Sequence, residues 1–106
     1  MKRGAAPCVV ALLGVLAGCG AAEQTEPGGA SVGAEVFRSA GCGGCHTLRA
    51  ADATGTVGPD LDSAQVTADD VSWAVRDGRP GMPAFRGRLT AREIRAVARF
   101  VAQSDR

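Results

Sequence analysis

The sequence predicts a small all-α domain built around a prosthetic group, and three observations carry that prediction. Three segments place apolar residues at helical spacing, none alternates as a strand would, and a long glycine-rich stretch between the first two has no period. The chain has 106 residues, 45% hydrophobic and 22% charged, enough for one domain and too short for a large multi-step enzyme. Aromatic residues make up only 4%, three Phe and one Trp, so the domain lacks the large side chains that ordinarily fill a small core. A cofactor with a wide apolar face would fill it.

The amino terminus stands apart from the fold. Lys2-Arg3, the apolar run Val9 to Leu16 and the small residues after it have the form of an export signal. Leu16-Ala17-Gly18-Cys19 resembles the lipobox of bacterial lipoproteins, which implies cleavage before Cys19 and lipid on its sulfur. The expected division is a signal peptide over 1–18, a flexible tether over 19–30 and a folded domain over 31–106. An uncleaved membrane anchor is the alternative, though Pro7, Gly14 and Gly18 make it a poor spanning helix. Either way the domain is expected outside the cytoplasm, anchored to the extracytoplasmic face of a bacterial membrane.

Within the domain, Val32, Val36, Phe37 and Ala40 recur at helical spacing and Gly41 follows as a stop, so a short helix is predicted from Val32 to Ala40. The irregular stretch from Gly41 to Gln65 is predicted to wrap the cofactor. Thr67 caps a second helix that runs to Gly78, with Asp69 and Asp70 at the positive end of its dipole and Val71, Ala74 and Val75 on one stripe. Trp73, on that helix, is expected in the core, with a place facing the bound group as the other option. Thr90-Ala91-Arg92-Glu93 is a capping box opening a third helix, on which Ile94, Val97, Ala98 and Val101 repeat at i, i+3, i+4 and i+7.

The chemistry lies at Cys42-Gly43-Gly44-Cys45-His46. CxxCH is the attachment signature of c-type haem: its spacing lets two thiols form thioethers with the vinyl groups while the adjacent histidine reaches the iron. A closed zinc site needs four ligands, and with Cys8 and Cys19 in the export segment only Cys42, Cys45 and His46 remain as soft donors. A thiol-disulfide exchange motif would follow a strand of a thioredoxin-like sheet, and no such strands are visible. One haem c per chain, attached through Cys42 and Cys45, is the expected cofactor. No second histidine exists, and beyond the initiator Met82 is the only methionine, in a loop stiffened by Pro80 and Pro83. Met82 is therefore the expected second axial ligand beside His46, against the plainer reading of a core gap-filler.

These motifs, with Val57-Gly58-Pro59-Asp60-Leu61 and Gly81-Met82-Pro83-Ala84-Phe85, make residues 31–104 resemble a class I c-type cytochrome. The resemblance implies a cytochrome c fold of three to five helices in which those bearing Phe37 and Val97 to Phe100 cross. It also implies that the Pro59 carbonyl accepts a hydrogen bond from the outer nitrogen of the His46 ring, orienting it and raising its basicity. The same likeness implies a carrier of single electrons serving redox proteins such as a quinol-oxidising cytochrome complex and a terminal oxidase; with the lipobox it is expected to be membrane-tethered, and it is expected to be a monomer. Two alternatives stay open: a haem-based ligand binder, sensor or weak peroxidase with a labile Met82, and a dedicated electron-transfer subunit of a dehydrogenase.

Charge is segregated along the chain. Residues 23–75 carry two arginines against eight acidic groups, whereas residues 76–99 carry seven arginines against Asp77 and Glu93. Arg76, Arg79, Arg86 and Arg88 bracket the methionine loop and are candidates for steering an acidic redox partner, against the plainer reading of solvated surface charge. Nothing in the pattern supports nucleic-acid binding. No lysine follows Lys2, so the lysine ring of soluble mitochondrial cytochromes c is absent.

Overall fold

The computed structural model describes residues 27–104, with side chains from Val32 onward. The segment read as a signal peptide and most of the segment read as a tether, including Cys19, lie outside the described residues. Three helices form the frame: α1 (Pro27–Ser39), α2 (Ala68–Asp77) and α3 (Ala91–Ser104). α3 packs against both α1 and α2.

The helix termini follow local sequence. Helix α1 begins at Pro27, inside the segment read as tether and five residues before the predicted start, because proline at the first helical position fits the fixed φ that a helix needs. In α2 the Asp70 backbone N–H donates to Thr67 Oγ1 at 3.1 Å and the Asp70 carboxylate accepts from Thr67 N–H at 3.1 Å, a complete capping box. The same reciprocal pair opens α3, with Glu93 N–H on Thr90 Oγ1 at 3.1 Å and Thr90 N–H on Glu93 Oε1 at 2.8 Å.

The core contains Val36 and Phe37 of α1, Val75 of α2, Ile94, Val97 and Val101 of α3, and Leu48, Ala51, Ala53 and Phe85 from the connections. Helices α1 and α3 cross closely at Gly33, where an added Cβ would run into the Ala96 carbonyl oxygen and the Phe100 Cβ. Phe37 and Phe100 seal the crossing edge to face, their centroids 5.9 Å apart. Among the described residues no polar or charged side chain is fully buried.

Two expectations need correction. The irregular stretch holds a small antiparallel pair, β1 (Thr47–Leu48) and β2 (Ala53–Thr54), joined by a tight turn at Arg49–Ala51. At two residues each, these strands are too short to show alternation in the sequence. Trp73 is not in the core: it is 48% exposed, with the Arg79 guanidinium 4.8 Å above its ring. Two positions before the buried Val75, Trp73 lies about 200° around the helix and so faces the other way.

Candidate haem site

Helix α1 stops at Ser39, and Gly41 turns the chain in a left-handed conformation (φ 82°) that a side chain would strain. The chain then tightens into a helical turn at Cys42–Gly44, where the Cys42 carbonyl accepts from both Cys45 N–H (3.1 Å) and His46 N–H (3.0 Å). One turn thus presents both thiols and the imidazole. Cys42 packs half-buried against the core, Cys45 is exposed, and both thiols are free.

A second segment supports this turn from below. Gly58 N–H donates to the Cys45 carbonyl at 2.7 Å. Thr47 Oγ1 holds the Gly55 carbonyl at 2.7 Å. A Cβ on Gly55 would stand 2.6 Å from Cys45 backbone atoms, and one on Gly58 would stand 2.7 Å from His46 Cε1. Both positions therefore need glycine for close approach, a requirement the motif spacing alone did not reveal. Replacing Gly58 by alanine is expected to displace the His46 ring and destabilise the domain by about 1–3 kcal/mol, seen as a lowered Tm and an altered haem spectrum. Wild-type values for both would contradict the packing.

His46 is oriented by its neighbour. Its Nδ1 lies 2.8 Å from the Pro59 carbonyl oxygen. A carbonyl can only accept, so Nδ1 carries the proton and Nε2 of the neutral ring keeps a lone pair free for a metal. Asp60 and Asp62 fix the loop beyond Pro59: Asp62 N–H donates to Asp60 Oδ1 at 2.9 Å, and the Asp62 carboxylate accepts Arg49 N–H at 3.0 Å.

The cysteines do not suit the competing chemistries. Burial pushes the Cys42 thiol above its ordinary value of 9.0, outweighing a backbone hydrogen bond, and the nearby Cys45 raises it further. A disulfide-exchange nucleophile needs the opposite shift. Among the described residues no cluster of three or more His, Cys, Asp or Glu is arranged to hold a metal, as closed zinc coordination would require. Two free thiols beside an imidazole with a defined tautomer, over a floor of glycines, fit covalent haem.

Met82 lies in the loop after α2, half-buried against the core. Arg79 and Met82 exchange backbone hydrogen bonds at 2.8 and 3.1 Å across Pro80-Gly81, with Gly81 at φ 83° as such a turn demands. The four arginines around this loop are exposed but engaged. Arg76 and Arg86 both pair with Asp77, Arg79 covers Trp73, and Arg88 stands 4.8 Å over the Phe85 ring.

The crossed helices, the CxxCH turn and the histidine with its carbonyl partner define a class I c-type cytochrome. The family model described as cytochrome c oxidase, cbb3-type, subunit III matches residues 28–101, and the chain belongs to that family. Among solved structures it is similar to the c-type cytochrome SorU from Sinorhizobium meliloti, at 41% identity and a TM-score of 0.69, over 74% of this chain and 93% of that one. No curated protein matches it. As a c-type cytochrome it holds haem c through Cys42 and Cys45.

Proposed function

We propose that the domain is a membrane-tethered carrier of single electrons in which His46 and Met82 would hold the haem iron. The haem supplies one-electron Fe(III)/Fe(II) chemistry. The observation that carries the reading is the His46 Nδ1 contact with the Pro59 carbonyl, which leaves Nε2 as a donor of enhanced basicity. Met82 provides the only thioether among the described residues, on a loop stiffened by two prolines. A sulfur ligand favours the reduced state and keeps small molecules from the metal, which suits electron transfer and disfavours ligand sensing or peroxidase chemistry.

Arg76, Arg79, Arg86 and Arg88 form an exposed basic surface around the Met82 loop, with the half-exposed Trp73 beneath Arg79. This surface suits an acidic redox protein, whose approach it would accelerate at low salt. The family description names an oxidase subunit, which supports a terminal oxidase as electron acceptor; a quinol-oxidising complex is the donor that completes the transfer. Lipid on Cys19 would confine the domain to the membrane that holds both partners and raise its effective concentration there.

The test compares the wild type with Cys19→Ser in cells that mature c-type cytochromes. The variant is expected in the soluble fraction with an unchanged spectrum, and its oxidation by native membranes is expected to be slower. Membrane retention of the variant would overturn the lipid tether, and a wild type that exchanges no electrons with those membranes would overturn the carrier role.

A further inference from the structure

Helix α2 ends with a residue at odds with its position. Asp77 is the last helical residue, where the helix dipole is negative and a carboxylate is disfavoured. Two arginines offset this cost. Asp77 Oδ2 accepts from Arg76 Nε at 3.1 Å and Nη2 at 2.9 Å, and Asp77 Oδ1 accepts from Arg86 Nη2. Their combined hold keeps the carboxyl below its ordinary value of 3.8, so it is ionised at neutral pH.

The two arginines stand on opposite sides of Met82 in the chain. Backbone bonds run parallel to the ion pairs: Phe85 N–H donates to the Val75 carbonyl at 2.8 Å and Arg86 N–H to the Arg76 carbonyl at 3.3 Å. Phe85 is buried and fixes the far end of the loop. Gly78 at φ 80° starts the loop, and a Cβ there would meet the Met82 carbonyl oxygen at 2.9 Å. Residues 78–85 thus form a closed ring hung from the end of α2, and Asp77 is the side chain that ties its two ends together.

We propose that Asp77 is a positioning residue, whose clamp on Arg76 and Arg86 closes the Met82 loop and sets how readily Met82 leaves the iron. The proposal rests on Met82 being a ligand. Charge-assisted bonds to a carboxylate are the stronger kind, yet these arginines are exposed and reached by salt, so the clamp is adjustable rather than permanent.

Asp77→Asn, Asp77→Glu and Arg86→Gln holoproteins would be compared with the wild type for the rate of imidazole binding to the ferric state and for the methionine-to-iron band. Asp77→Asn is expected to bind imidazole about fivefold faster, the rate gain of breaking an exposed two-partner ion pair. Asp77→Glu is expected to restore slow binding. Arg86→Gln is expected to act alike and to add little in the double variant, because both changes open one clamp. High salt should speed the wild type and leave Asp77→Asn unchanged. Wild-type imidazole kinetics in Asp77→Asn, with the methionine band present, would overturn the clamp while leaving the ligation intact. A missing methionine band in the wild type would instead overturn the ligation on which the clamp rests.

Discussion

Met82→Ala is expected to convert a closed haem into an open one: the ferrous variant should bind carbon monoxide stoichiometrically, and the wild type should not respond. The sequence offers no replacement ligand, because the chain has a single histidine and no other methionine beyond the initiator. If Met82 is the proposed ligand, its loss also removes a sulfur that favours Fe(II), and the reduction potential is expected to fall, on the order of 0.1 V within the roughly 0.8 V that axial ligands span. The fold should tolerate the change. Met82 packs at the edge of the core, half-exposed, and its loop is held by the Arg79–Met82 turn and by the Phe85 backbone, neither of which needs the side chain. Carbon monoxide titration and a redox titration check the two effects. A variant with wild-type potential and no carbon monoxide response would mean that another group fills the sixth position.

The second large effect concerns attachment. Cys42→Ala and Cys45→Ala are each expected to remove one thioether, and the double variant is expected to hold no covalent haem. A denaturing gel stained for haem, and the stoichiometry of haem that survives acid-acetone extraction, are the measurements. The two single variants are not equivalent. Cys42 packs half-buried against the core and Cys45 is exposed, so Cys42→Ala lowers the Tm more. The loss of yield should be severe in the double variant, because the core has few large side chains of its own: Phe37, Leu48, Val97 and Val101 are the largest that are fully enclosed. Covalent haem at wild-type stoichiometry in the double variant would remove the motif from its assigned role.

Much of this was legible in the chain because the relevant signals are local. The capping residues Thr67 and Thr90, the apolar stripe Ile94-Val97-Ala98-Val101 and the CxxCH spacing each fall within one or two helical turns of sequence. The start of α1 was not, since Pro27-Gly28-Gly29 has the composition of a linker and its glycines outweigh, in a reading by composition, the proline that suits a first helical position. Trp73 misled because a tryptophan's size argues for burial, while its angle to Val75 puts it outside. The Pro59 contact with His46 joins residues 13 positions apart, and only resemblance pointed to it. Asp77 was invisible as a clamp for the same reason: Arg86, nine residues on, meets it only after the loop has folded back. The arginines that charge counting marked as candidates for steering a partner turn out to be partly committed to Asp77, Trp73 and Phe85.

The absorption spectrum of the matured wild-type protein, ferric and ferrous, with carbon monoxide added to the reduced sample, tests the central claim most directly. The expected result is a low-spin haem with the long-wavelength methionine-to-iron band in the ferric state and no change on adding carbon monoxide. A high-spin spectrum, or one that shifts with carbon monoxide, would contradict the His46–Met82 pair and turn the function toward ligand binding.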